Sequence, residues 1–171
     1  MTTVLNREDL KRLLQCEPPL VEGLVNVEEQ LQPNGIDLTL RQVSVMQTPG
    51  QLAVSNGQRV VSCQSPLVFD GLGFIQLAAG IYSITFNEVI HLPPDVMALA
   101  TPRSSLLRCG VTVHTAVWDA GYSGRSESLL VVYHPQGIKL QRDARIIQLV
   151  FFQLSGKTQG YKGIYQGENI E

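Results

Sequence analysis

A chain of 171 residues with 44% hydrophobic side chains can bury one core, and nothing in its length calls for a second domain. Charged residues make up only 16% and the formal net charge is −2, so there is neither a broad basic surface for a nucleic acid polymer nor an acidic solvating tail. Any phosphate must therefore be held locally.

The three cysteines, Cys16, Cys63 and Cys109, form neither a C-x-x-C pair nor a zinc spacing, which fits a reducing compartment. Charges near the N-terminus and the lack of a long apolar run argue against a signal peptide or a membrane span, so a cytoplasmic protein is expected. Residues 1–171 read as a single domain, with an N-terminal helix region over 1–20 and an arm over 155–171.

In chain order, Asn6 is a good N-cap, Asp9 falls in the first turn, and Leu10, Leu13 and Leu14 follow at helical spacing before Pro18 and Pro19 stop the helix. Beyond it the period changes. Ile36–Leu40, Phe74–Leu77, Ile81–Phe86, Val96–Ala100, Val111–Val113, Leu129–Tyr133 and Ile146–Leu154 are short runs that favour strands, punctuated by glycine and proline. Many short strands without βαβ alternation predict a mostly β fold, a sandwich, jelly roll or small barrel. The stretch after Ser155 is polar and glycine-rich with two tyrosines, and reads as a flexible C-terminal arm.

Two segments carry candidate chemistry. In Pro102-Arg-Ser-Ser-Leu-Leu-Arg-Cys-Gly110, a proline ends a strand, two serines can cap a short helix and Gly110 can close it in a left-handed conformation. Free N–H groups, the hydroxyls of Ser104 and Ser105, and the guanidinium groups of Arg103 and Arg108 would suit a phosphate; an ordinary N-cap beside solvated arginines is the plain alternative. In Thr115–Gly124, Asp119-Ala-Gly-Tyr reads as the turn of a hairpin, with Gly121 free to take positive φ. Asp119 there could simply stabilise the turn, or could orient a water beside the aromatic faces of Trp118 and Tyr122, as nucleotide hydrolysis requires.

The ordered segments Gln32–Leu38, Arg103–Leu106, Val117–Gly124, Arg145–Val150 and Tyr161–Gly167 resemble the motifs of the dUTPase and dCTP deaminase superfamily, closest to the dUTPases of the deaminase-like branch. The resemblance implies a jelly-roll-like β-barrel, a homotrimer and active sites shared between subunits. It also implies that Arg103, Ser104, Ser105 and Gln148 hold a triphosphate with Arg108 nearby, that Asp119 positions the attacking water, and that Tyr122 packs on the deoxyribose. Asp37 would play a supporting part. Lys162 and Gln166 match the triphosphate-binding lysine and glutamine of a closing arm.

Hydrolysis of dUTP to dUMP and pyrophosphate needs Asp119, the basic cluster and Mg²⁺ held mainly by the nucleotide phosphates, with no protein metal cage. Deamination of dCTP, the alternative, uses a glutamate in zinc-free relatives, and here the matching position is Leu129, or Val131 with a two-residue shift. Neither can transfer a proton. Glu127 lies on the same strand and is expected to face solvent. The H-x-E and P-C-x-x-C pattern of zinc deaminases is missing from the sequence. A non-catalytic β-barrel binding module is the second alternative. His91, His114 and His134 read as turn or packing residues with no metal site, and Cys63 and Cys109 as small apolar fillers.

Overall fold

The computed structural model describes residues 3–170. Its elements run β1 (Thr3–Val4), α1 (Arg7–Leu13), β2 (Val21–Glu22), α2 (Val27–Gln30), β3 (Leu31–Gln32), β4 (Gly35–Met46), a 3₁₀ turn (Asn56–Gln58), β5 (Gln64–Pro66), β6 (Phe74–Leu77), β7 (Gly80–Phe86), β8 (Val89–His91) and β9 (Val96–Pro102). They continue with α3 (Ser104–Arg108), β10 (Val111–His114), β11 (Ser123–Gly124), β12 (Glu127–Val132), β13 (Ile138–Gln141) and β14 (Arg145–Gln153).

The opening helix forms where its capping chemistry asks for it. The Asn6 side chain accepts from the backbone N–H of Glu8 at 2.9 Å and of Asp9 at 3.1 Å, and Asp9 reaches back to the Asn6 N–H. That reciprocal pairing satisfies donors that a helix start leaves free. Leu10 is fully buried against the sheet.

The strands pair antiparallel throughout, and nine of them make one curled sheet whose main path is β1-β14-β4-β7-β12-β10. The expected jelly-roll-like barrel is present as curled antiparallel sheets, but it does not close into a continuous hydrogen-bonded ring. Strand β14 is central, flanked by β4 on one side and β9 on the other. Its Ile146, Ile147, Leu149 and Phe151 are buried, and with Leu38, Leu40, Ile84, Phe86 and Leu130 they form the core. Truncating Phe86 or Phe151, both 0% exposed, to alanine removes about 3–5 kcal/mol.

Several local expectations need correction. Arg103 occupies the N-cap position of α3 with extended backbone, so Ser104 and Ser105 lie inside the helix and neither caps it. Gly110 does close that segment with φ +70°. The turn at Asp119–Tyr122 forms, with the Tyr122 N–H donating to the Asp119 carbonyl at 3.0 Å and Gly121 at φ +82°. The chain on either side of it does not pair as a tight hairpin: Trp118 bridges Ala98 of β9, while Ser123–Gly124 pairs with β8. The hairpin proper is β10 with β12, and the turn sits in their long connection. Cys63, in the irregular chain before β5, and Cys109, in the turn after α3, are exposed free thiols and not apolar fillers; Cys16 is an exposed free thiol as well.

Candidate active site

The expected site residues separate into two groups. The first surrounds the start of α3. Gln148 on β14 faces Asp37 of β4 on one side and Thr101 of β9 on the other. Asp37 is almost fully buried, and its Oδ2 lies 3.0 Å from Arg103 Nε and 3.6 Å from Arg145 Nη1. Burial pushes the Asp37 carboxyl above its usual range, while the two arginines pull it down. Arg103 is thereby paired with Asp37 by charge and proximity, without a hydrogen bond at Oδ2, and its two terminal amino groups have no protein acceptor among the described residues. Ser104, Ser105 and Arg108 are exposed beside it.

The second group lines a mainly apolar cavity of about 590 Å³. Trp118, Asp119 and Tyr122 from the turn line it together with Glu127 of β12, Gln64 of β5, and Tyr161, Tyr165 and Glu168 of the arm. The Trp118 indole N–H donates to Ser126 Oγ at 3.1 Å, which restrains the ring. Asp119 is exposed there.

Glu127 is exposed, as expected, and at the same time lines this cavity. Its Oε2 accepts from Gln64 Nε2 at 2.7 Å and from Ser83 Oγ at 3.3 Å. Gln64 is distant in sequence and enters through the β4–β5 excursion, so no local pattern announces the contact.

The arm lies along the turn. Tyr161 N–H donates to the Ala120 carbonyl at 2.8 Å, and Gly167 N–H to the Ser123 carbonyl at 2.7 Å. Gln166 accepts from the Ser123 N–H and donates to the Gly121 carbonyl, both at 3.1 Å. The approach is close enough that a Cβ on Gly121 would meet Gly160 Cα at 2.6 Å. Lys162 is exposed on the same arm.

Beneath it, the Tyr122 hydroxyl donates to Glu168 Oε1 at 2.8 Å, and its ring meets Tyr161 edge-on with centroids 5.8 Å apart. Burial first, then the Glu168 carboxylate, pushes the Tyr122 phenol above its ordinary range. Burial also raises Glu168, Tyr122 works against that rise, and Glu127 adds to it. The pairing of Tyr122 with Glu168 across 46 residues escaped the sequence reading.

Within one chain the two groups are far apart. Trp118 is bridged to Ala98, and Arg103 stands five residues further along β9, roughly 16 Å away at the rise of an extended strand. The antiparallel bridge turns Asp119 away from Arg103.

The family model described as dCTP deaminase-like matches residues 4–154. A probable deoxyuridine 5'-triphosphate nucleotidohydrolase of Methanosarcina mazei is 48% identical over 167 residues, covering 97% of this chain and 98% of that protein. The protein of the same name from Archaeoglobus fulgidus is 46% identical over 168 residues, 98% of each chain. Among solved structures, the 2'-deoxycytidine 5'-triphosphate deaminase from Agrobacterium tumefaciens superposes with a TM-score of 0.67 at 22% identity, over 89% of this chain and 48% of that one, a likeness of fold. With its curled antiparallel sheets and a matching region that takes in the cradle, the turn and β14, the chain belongs to the dCTP deaminase-like family.

Proposed function

We propose that this protein hydrolyses dUTP to dUMP and pyrophosphate, with Asp119 orienting the attacking water. The observation that carries the reading is the exposed Asp119 carboxylate set in the wall of an otherwise largely apolar cavity beside Trp118 and Tyr122. The relatives named as deoxyuridine 5'-triphosphate nucleotidohydrolases, alike over nearly the whole chain, support the same substrate.

Water attacks the α-phosphorus in line, a new P–O bond forms, the α–β bridging P–O bond breaks, and pyrophosphate leaves with the bonding pair. Asp119 accepts a hydrogen bond from the water and holds it on that line. Tyr122 offers the sugar a packing surface. Arg103, paired by charge with Asp37, presents two free amino groups to the phosphates, and Ser104, Ser105, Gln148 and Arg108 add donors nearby. Mg²⁺ would arrive on the phosphates and neutralise their charge, held mainly by them and by water; among the described residues no group of three or more His, Cys, Asp or Glu side chains forms a cage for it, and the exposed Asp119 carboxylate is an oxygen donor of the kind so hard a cation accepts.

Because Asp119 and Arg103 lie at opposite ends of β9, a complete site takes the cavity of one copy and the cradle of another, in keeping with a homotrimer. The arm supplies the cover: Lys162 is free to meet a phosphate, while Gln166 must exchange its contacts with the turn to do so. The setting is cytoplasmic, and among the described residues no helix is long and apolar enough to cross a membrane.

Deamination of dCTP is the second reading, favoured by Glu127 standing in the same cavity wall. Its carboxylate is pinned by Gln64 and Ser83, and Leu129, two residues on, carries no proton-transfer group. Incubation with each deoxynucleoside triphosphate and Mg²⁺ separates the readings. Pyrophosphate and dUMP from dUTP, with no ammonia from dCTP, is the expected result; ammonia without pyrophosphate refutes hydrolysis.

A further inference from the structure

A second cavity, of about 670 Å³, lies on the other side of the arm, lined by Arg41, Gln42, Thr85, Arg125, Asn169 and Ile170 together with Gly167. Its electrostatics are the reverse of the first. Two guanidinium groups face it, and among the described residues neither has an acidic side chain within ion-pairing distance.

Arg125 is built in, at 8% exposure. It donates Nη1 to the carbonyls of Phe86, at 3.0 Å, and Asn87, and donates Nε to the Asn169 carbonyl at 2.9 Å. Nη2 has no protein acceptor among the described residues. Burial disfavours the charged form of Arg125, the nearby Arg41 adds to that, and Glu88 opposes it. Glu88 is beyond ion-pairing distance of Arg125, and its oxygens accept from Thr39 and Gln30 instead. Arg41 itself is exposed at the cavity mouth.

Two like charges brought to one cavity, which Thr85 of β7 also lines, are stabilised by a third group of opposite sign. We propose that this cavity is a binding site for a small, multiply charged oxyanion of the phosphate class, separate from the cradle at Arg103, and that its occupation fastens the arm.

The link to the arm is direct. Arg125 also donates its backbone N–H to the Glu168 carbonyl at 2.9 Å and accepts at its own carbonyl from Asn169 Nδ2 at 3.1 Å. An anion that holds the Arg125 guanidinium in place therefore holds Glu168 and Asn169. Glu168 in turn belongs to the wall of the first cavity. This inference does not depend on which nucleotide the first cavity accepts.

Inorganic phosphate and pyrophosphate share the required chemistry, and titrating each separately by calorimetry into the full chain, without nucleotide, distinguishes them. At least one is expected to bind. Replacing exposed Arg41 should leave the fold and the basal hydrolysis unchanged. Loss of its charge-assisted contacts in Arg41→Gln should weaken binding at this site about tenfold or more, whereas Arg103→Gln, which removes only the cradle's share of phosphate binding, should keep a site of wild-type affinity. Amide exchange at Glu168 and Asn169 should slow when the anion is added to the wild type, and not in Arg41→Gln. No binding by the wild type, wild-type affinity in Arg41→Gln, equal weakening in Arg103→Gln, or exchange indifferent to the anion overturns the proposal.

Discussion

Arg103 Nε lies 3.0 Å from the buried Oδ2 of Asp37, so a side chain on β4 decides how the arginine at the start of α3 is aimed. The buried charge keeps the guanidinium beside β4, with its terminal amino groups available for the bidentate contact a phosphate offers.

Asp37→Asn keeps the shape of that anchor and removes its charge. Arg103 then loses the partner that orients it, and the apparent affinity for the nucleotide should suffer more than the chemical step. A rise in KM of about tenfold with kcat within a factor of three is expected, since one charge-assisted contact contributes about 1.5–3 kcal/mol. Steady-state kinetics at several salt concentrations checks it. A drop in kcat with unchanged KM would move Asp37 from positioning to chemistry.

Asp119→Asn should leave fold and nucleotide affinity close to wild type while lowering kcat by about 10²–10⁴-fold, the range a positioned acid–base group supplies. Binding of a non-hydrolysable dUTP analogue, measured beside turnover, separates the two effects. Turnover within a few-fold of wild type would remove Asp119 from the reaction.

Much of this arrangement is legible in the sequence, and what is legible is local. Asn6 with Asp9 announces a capped helix because the partners are three residues apart. Gly121 and Gly110 announce positive φ because turn geometry excludes a Cβ there. The alternating apolar runs mark their strands because one face of each is dry. What escapes is long-range. Gln64 orients Glu127 across 63 residues, and Arg125 holds Asn169 across 44. No periodicity records either pairing. Glu127 is exposed, as a polar residue at a strand start usually is, but its contact with Gln64 of β5 has no local sequence signal. Cys63 and Cys109 depart from the expectation for a related reason: small apolar residues are often buried, but these two fall in surface chain before β5 and after α3.

The Tyr122–Glu168 hydrogen bond at 2.8 Å ties the arm to the turn beneath it. Tyr122→Phe retains the ring surface but leaves a partly buried carboxylate without its donor, so the arm should detach more often. Faster amide exchange over 161–169 and a KM raised a few-fold are expected, with the fold intact. Deleting the chain from Tyr161 onward should raise KM further. Exchange in Tyr122→Phe equal to wild type would mean that the backbone contacts of Tyr161 and Gly167 hold the arm alone.

Glu88 gives a pH dependence of definite sign. It is 1% exposed, and burial raises its carboxyl above the usual range, partly offset by hydrogen bonds from Thr39 and Gln30. A folded-state value above the unfolded one means that the folded protein binds the proton more tightly. The contribution to stability is thus fully present below the ordinary glutamate range and is lost as pH rises through the elevated folded value. Denaturant titrations over a pH series should show this slope in the wild type, and Glu88→Gln should flatten it. An unchanged slope in Glu88→Gln would assign the pH dependence to Asp37 or Glu168, the other two carboxyls raised by burial.

The separation of Asp119 from Arg103 within one chain makes the shared site testable by mixing. A chain carrying Asp119→Asn keeps a sound cradle, and a chain carrying Arg103→Ala keeps a sound cavity, yet each assembled alone has every site spoiled. Co-refolding equal amounts of the two should produce mixed assemblies in which some cavities with an intact Asp119 face a cradle with an intact Arg103. In randomly mixed trimers whose sites each draw the two residues from different copies, one pairing in four is intact, so about a quarter of wild-type activity should return. If both residues act within one chain instead, no mixed assembly contains a complete site and activity stays at the level of the separate variants.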